Sequence, residues 1–227
     1  MNYKPKNILV TGAAGFIGSN YVRMMLSRYN DVEVIELQHG TFSKYHLGYS
    51  FPNRKEPLEY FPDKFYVWND FWRKIIKLPI DEKDVVVDSF RYMQKMRVRL
   101  CEKISKNNNQ LVVLSQGVIG GLIAEKLLDN LDYFKNFDIK YKLHPGEFDR
   151  WKSYEALVKL NKFDNVKIIK DEIHLYELLA ESCIQVGVFS TAIYEGVEFG
   201  CKTILLNLPG IEYMDRFVEL NNIEKIF

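Results

Sequence analysis

The chain has 227 residues, 47% of them hydrophobic, with 31 basic and 30 acidic side chains and a formal net charge of +1. Such a length holds one large domain or two small ones around a real core, and so even a charge balance removes the electrostatic case for a nucleic-acid partner. No apolar run approaches the roughly 18 residues that cross a bilayer, no signal peptide opens the chain, and the three cysteines stand outside any Cys-x-x-Cys spacing, which fits reduced thiols in a cytoplasmic protein.

Residues 7–11 (NILVT) read as a strand, Gly12, Gly15 and Gly18 as a glycine turn, residues 19–28 as a helix and residues 32–35 as a second strand. In such a βαβ start the glycines permit a tight turn and the close approach of a pyrophosphate to the helix N-terminus. Residues 1–35 resemble, almost residue by residue, the N-terminus of extended short-chain dehydrogenases, above all dTDP-glucose 4,6-dehydratases. The resemblance implies contacts to NAD at Gly12, Gly15 and Gly18. Beyond it the dehydratase pattern stops. Glu36 is the acidic residue near the second strand's end, and the one Tyr-x-x-x-Lys spacing, Tyr60 and Lys64, spans Pro62.

Residues 36–49 (ELQHGTFSKYHLGY) run from a strand into a loop carrying His39, Gly40, Thr41, Ser43, Lys44 and His46. Imidazoles, hydroxyls and an ammonium so close together make a candidate polar site, and a surface loop with incidental histidines explains the same residues. Residues 51–62 read as a connector, 64–68 as a strand, 70–76 as a helical turn and 84–88 (DVVVD) as a strand. Residues 91–106 form a helix with Arg91, Lys95, Arg97, Arg99 and Lys103, read as a solvated face or an anionic-surface contact. Residues 106–110 (KNNNQ) are a turn-rich break and the candidate internal boundary. The domains expected are therefore a βαβ fragment at 1–35, a connecting region with an incomplete N-terminal lobe at 36–110, and a ligand-binding domain at 111–227.

From residue 111 the alternation is regular. Strands are predicted at 111–115, 139–143, 166–169, 184–188 and 203–207, with helices at 122–134, 151–160 and 173–182, after Thr191, and from Tyr213. Strands separated by helices imply an α/β fold with a Rossmann-like parallel sheet covered on both faces, whose ligands bind at the carboxyl ends of the strands. His144 and residues 190–191 each follow a strand end, so both are expected in one crevice. Ser190 is an N-cap candidate, and the helix start behind it suits a phosphate. Glu195, four residues past Thr191 and on the same helical face, suits a ribose diol. A capped helix in a parallel sheet, with no ligand, explains these residues equally.

Three stretches stand together: QHGT at 38–41, KLHPGE at 142–147 and FSTAIYEG at 189–196. With them, residues 36–227 resemble the carboxyl-terminal half of GT-B glycosyltransferases that build bacterial capsule and other surface polysaccharides. The His-Pro and Ser-Thr pair is similar to the nucleotide-binding pair of bacterial sialyltransferases. The His-Gly-Thr loop with Lys44 resembles that of CDP-glycerol glycerophosphotransferases. The resemblance implies a CMP- or CDP-linked donor and a glycan acceptor. It implies that His144 contacts the donor phosphate, Pro145 fixes the presenting turn, Ser190 and Thr191 bind phosphate, and Glu195 holds the ribose. Lys44 joins the donor-binding set, and His39 is the candidate general base or phosphate contact. No metal is implied, since the chain has no Asp-x-Asp stretch. A cytoplasmic place, or a peripheral one at the inner face of the membrane, goes with this reading. The competing readings are an NAD-binding dehydratase- or epimerase-like fragment acting on nucleotide sugars, and a non-catalytic nucleotide-binding remnant.

Overall fold

The computed structural model describes residues 7–10, 16–28, 32–54, 56, 58, 61–221, 223 and 225–226. Two compact units make up the chain, Met1–Phe90 and Arg91–Phe227. Both are α/β, with parallel sheets flanked by helices, as the alternation predicts.

In the first unit, β1 (Asn7–Val10), α1 (Phe16–Arg28), β2 (Glu33–Leu37), β3 (Lys64–Val67), α2 (Asp70–Ile75) and β4 (Val85–Val87) build a four-stranded parallel sheet in the order β1-β2-β3-β4. Burial alternates along β2 and β3, with Val34, Glu36, Phe65 and Val67 turned inward, as a period of two requires. Val22 of α1 packs on Val32 and Val34. Around Phe65 stand the rings of Phe42 and Tyr49, with centroids at 5.7 and 5.6 Å. Asn69 starts α2 by accepting the Trp72 N–H at 3.3 Å. Residues 64–67 and 85–87 thus extend the same sheet that residues 7–10 and 33–37 begin.

The second unit contains α3 (Arg91–Cys101), β5 (Asn107–Leu114), α4 (Gly120–Asp129), β6 (Asp138–Lys142), α5 (Glu155–Leu160), β7 (Val166–Ile169), α6 (Leu175–Glu181), β8 (Ser182–Gly187), α7 (Thr191–Glu198), β9 (Lys202–Leu206), α8 (Asp215–Asn221) and β10 (Lys225–Ile226). Its six strands are parallel in the order β10-β9-β8-β5-β6-β7, the doubly wound arrangement that starts in the middle and grows both ways. Residues 111–115 are all buried because helices cover both faces of the central strand. Leu111, Val113, Ile139, Tyr141 and Val186 meet Ile123, Leu127 and Leu157 in one core.

Three local readings differ from the structure. Residues 107–110 are the opening of β5 and not a break. Their asparagines are exposed and Asn107 pairs with Ser182 ahead of a register shift, so turn-forming residues occupy an irregular strand end. The helix predicted at 122–134 ends at Asp129, where the Asn130 side chain donates to the Lys126 carbonyl at 2.8 Å and a 3-10 turn, Leu131–Phe134, takes over. The one predicted at 151–160 is a 3-10 turn and then α5, parted by the extended backbone of Tyr154. In α3 only one face, with Met93 and Leu100, is buried, and Arg91, Lys95, Arg97 and Arg99 are exposed. No helix among the described residues is long and apolar enough to cross a membrane.

Candidate functional site

The strand order of the second unit decides where a ligand can sit. Chain progression reverses between β5 and β8, so the loops leaving these neighbours diverge to opposite faces and open a crevice at the carboxyl edge. On the other flank of β5, β6 delivers His144 to the same edge. With strands about 4.8 Å apart, the exits of β6 and β8 stand about 10 Å from each other across that of β5. His144, Ser190 and Thr191 therefore share one edge, one strand apart.

On the β8 side, Ser190 has an extended backbone and its hydroxyl accepts the Ala192 N–H at 3.2 Å, which caps α7. The Ile193 N–H is bonded to the Ser190 carbonyl at 3.1 Å. Among the described residues this leaves the Thr191 amide and hydroxyl as the donors at the positive end of the helix. Glu195 lies one turn along on the Thr191 face. Its Oε1 accepts the Tyr176 hydroxyl at 2.7 Å, and burial raises its pKa above the usual carboxylate range, against the pull of Tyr176 and His174.

On the β6 side, Pro145–Glu147 form a 3-10 turn capped by His144. The His144 Nδ1 accepts the Gly146 N–H at 3.1 Å, so the proton of the neutral ring is on Nε2, which is left to donate. Pro145 pre-sets φ at the first position of the turn. Behind the turn, Glu147 is fully buried and accepts twice, from the His144 N–H at 2.8 Å and from the Ser115 hydroxyl at 3.0 Å. Gly120 makes room for this carboxylate, since a Cβ there would meet Glu147 Oε1 at 1.7 Å. The Tyr141 hydroxyl donates to the Gly120 carbonyl at 3.2 Å, and burial raises its pKa far enough to keep it a donor.

Between the two sides lies the loop after β5. The Gln116 side chain accepts the Phe189 N–H at 2.9 Å and so ties the β5 and β8 exits together across the switch point. The Arg150 guanidinium donates to the Gly117 carbonyl. A Cβ on Gly117 would touch both His144 Nδ1, at 3.2 Å, and Arg150 Nη2, at 3.5 Å, which places an exposed cation beside the histidine. Gln116, Glu147, Arg150 and Tyr176 have no assigned part in the sequence reading. The His-x-x-Glu spacing of a capping box was the one local signal for Glu147.

His39 and Lys44 belong to the first unit. His39 follows the carboxyl end of β2, half exposed, with its Nδ1 4.0 Å from Oε1 of the buried Glu36 and its ring edge toward Tyr49. The Tyr49 hydroxyl donates to that same Glu36 oxygen. Gln38 pins the loop, for its side-chain oxygen accepts the Trp68 N–H at 2.9 Å while its amide nitrogen donates to the Gly40 carbonyl. His46 lies against Phe42 and Tyr49, and this desolvation, with His39 nearby, lowers its pKa. Lys44 is exposed and sits over the Tyr45 ring, 5.0 Å from its centroid. Gly12 and Gly15 lie outside the described residues, and Gly18 is within α1. Lys64 pairs with Glu33 at 2.6 Å from within β3, and Tyr60 also lies outside the described residues.

The sequence matches no family model. Over 151 residues it is 28% identical to the uncharacterized protein MJ1060 of Methanocaldococcus jannaschii, covering 64% of this chain and 26% of that protein. Over 35 residues, 15% of this chain and 5% of the other, it is 51% identical to the trifunctional UDP-glucose 4,6-dehydratase/UDP-4-keto-6-deoxy-D-glucose 3,5-epimerase/UDP-4-keto-L-rhamnose-reductase RHM2 of Arabidopsis thaliana. Among solved structures it is similar to the UDP-GlcNAc 2-epimerase of Methanocaldococcus jannaschii, with a TM-score of 0.55 and 13% identity over 98% of this chain and 66% of that one. The chain thus spans about a quarter of the first relative and just under two thirds of the epimerase. The structural likeness shows the fold, a Rossmann-like α/β architecture of the GT-B kind.

Proposed function

We propose that the second unit binds the nucleotide of an activated sugar at the carboxyl edge of β6, β5 and β8, and that the chain serves glycosyl transfer. What supports this reading is that His144, Thr191 and Glu195 follow strands at the carboxyl edge of a doubly wound sheet, on either side of β5 and beside its switch point, where such folds take their ligands. A donor phosphate takes hydrogen bonds from His144 Nε2 and from the Thr191 amide and hydroxyl, at the positive end of α7. Arg150 supplies a guanidinium for a second phosphate oxygen. Glu195, held through one oxygen by Tyr176, accepts from the ribose hydroxyls. As the leaving phosphate gains charge, these fixed donors stabilise it. In the first unit, His39 with Glu36 behind it has the chemistry of a base, and Lys44 is an exposed cation; their parts toward acceptor and donor rest on the resemblance of residues 36–227.

The cytidine carrier, the glycan acceptor of a bacterial capsule or surface polysaccharide, and a peripheral place at the inner face of the membrane rest on the resemblance of residues 36–227. A second reading, a uridine sugar nucleotide, is favoured by the likeness to a UDP-GlcNAc 2-epimerase. Calorimetric titration with CMP, CDP, UDP and NAD, on the wild type and on Thr191→Ala, separates them. CMP or CDP binding that Thr191→Ala weakens supports the cytidine reading. UDP binding with CMP and CDP silent moves the site to uridine. NAD binding indifferent to Thr191→Ala points to residues 12–18 instead. Silence from every nucleotide ends the proposal.

A further inference from the structure

The first unit holds a cavity of about 580 Å3 that the nucleotide reading leaves unused. A pocket of that size lies within the range of roughly 300–1,000 Å3 typical of small-molecule sites. Part of its wall comes from the last turn of α2 and the segment after it, and part from Val85, which opens β4. The cavity therefore faces the amino-terminal edge of the sheet, whereas His39 follows the carboxyl end of β2.

The lining has two chemistries. Ile76 and Val85 are core residues, and with Phe51, Leu78 and Ile80 they make an apolar floor. Arg54, Arg73, Lys74 and Lys77 bring positive charge, against Asp70 and Glu82. Among the described residues none of these six forms an ion pair, although Lys64–Glu33 and Lys83–Asp81 nearby in the chain do. The Arg54 Nε donates to the Glu56 carbonyl at 3.0 Å, which holds that guanidinium in place. Four cations less two carboxylates leave a balance of two positive charges.

A phosphate monoester carries close to two negative charges at neutral pH, about −1.5 to −2, and an arginine fork reads its oxygens in pairs. The floor would stay wetted under a bare anion, whereas an aliphatic chain would cover it, each buried methylene tightening binding about fourfold. We propose that this cavity binds a phosphate monoester borne on an aliphatic chain. The bearer is either a membrane phospholipid or a soluble phosphorylated amphiphile.

The probe is n-octyl phosphate below its micellar concentration, titrated calorimetrically into the full chain beside inorganic phosphate and octyl glucoside. The proposal expects octyl phosphate to bind at least about tenfold tighter than either half-probe, and to weaken as salt rises. Arg73→Gln with Lys77→Gln should weaken it at least about tenfold. That double variant should keep the wild-type melting temperature and nucleotide affinity, so failure here is separable from failure of the nucleotide site. Leu78→Ser should erode the preference for octyl phosphate over inorganic phosphate. Equal affinity for octyl phosphate and inorganic phosphate, equal affinity for octyl phosphate and octyl glucoside, or a double variant that binds like the wild type overturns the proposal. Co-sedimentation with phosphatidylcholine vesicles that contain phosphatidic acid, lost in the double variant, assigns the membrane source. Octyl phosphate binding without vesicle binding assigns the soluble one.

Discussion

The Tyr176 hydroxyl donates to Glu195 Oε1 at 2.7 Å, from α6 to α7 across 19 positions of sequence. Burial raises the Glu195 pKa and this hydrogen bond lowers it, so Tyr176 works against desolvation. With a folded-state pKa above the unfolded one, the proton is held more tightly in the folded chain. The associated stability is complete below the ordinary carboxylate range and is lost as pH rises through the folded value. Tyr176→Phe removes the donor and raises that pKa further. Its stability deficit should be about 1.5–3 kcal/mol at neutral pH and should shrink as the solution is acidified through the Glu195 transition. Urea unfolding of both proteins at neutral and acid pH measures it. A deficit that does not change with pH would show that the two residues merely pack together.

At Gly120 the start of α4 lies against the buried Glu147 of the turn after β6. An added methyl would stand 1.7 Å from Glu147 Oε1 and 3.0 Å from Ser115 Oγ, so Gly120→Ala must displace a fully buried carboxylate and break its bonds to Ser115 and the His144 amide. We expect a loss of about 3 kcal/mol or more, with weaker nucleotide binding because the His144 turn moves. Combining Gly120→Ala with Glu147→Ala removes the clash, and the double variant should be more stable than the sum of the single effects predicts, by about 1 kcal/mol or more. Additive losses would mean that the two residues do not meet.

Much of the second unit was legible in the sequence because its strands are short apolar stretches, alternating in β6 and more continuously buried in β5 and β8, parted by helical segments and turn formers. Residues 139–143, 166–169 and 184–188 match β6, β7 and β8 within two positions. Residues 107–110 were not, since exposed asparagines in a strand extension look like a turn. In the first unit, β2 and β3 are parted by residues 38–63, and nothing local shows that strands so far apart lie side by side. The candidate site divides the same way. His144, Ser190 and Thr191 stand in short motifs beside strand ends. Gln116, Glu147 and Tyr176 act through partners on other elements, Phe189, Ser115 and Glu195, which only the folded chain supplies.

The crevice residues should separate by what they lose. His144→Ala and Thr191→Ala each remove a donor to phosphate, and each should weaken nucleotide binding about ten- to a hundredfold. Ser190→Ala removes the bond to the Ala192 amide, so it should cost about 1 kcal/mol of stability and little affinity at matched folded fraction. Glu195→Gln should weaken ribonucleotides while leaving 2′-deoxy nucleotides almost unaffected. Calorimetry with CMP and its 2′-deoxy analogue, beside thermal melts, reads both quantities. Losses of affinity that track melting temperature in all four variants would reduce these residues to scaffold.

His39 makes a different demand. Its Nδ1 is 4.0 Å from the Glu36 carboxylate, which is itself fully buried and fixed by the Tyr49 hydroxyl, while the ring remains 47% exposed. An accessible imidazole with its inner nitrogen toward a carboxylate leaves its outer nitrogen free to take a proton from a hydroxyl. A base acts on the acceptor in the transition state and not on the bound nucleotide. His39→Ala should therefore lower turnover about 10²- to 10⁴-fold while nucleotide affinity stays near the wild-type value. Tyr49→Phe loosens Glu36 without removing the base, so it should lower turnover by less than His39→Ala does. If His39→Ala instead lost affinity and kept turnover, His39 would be a phosphate contact, and the base would have to be sought elsewhere.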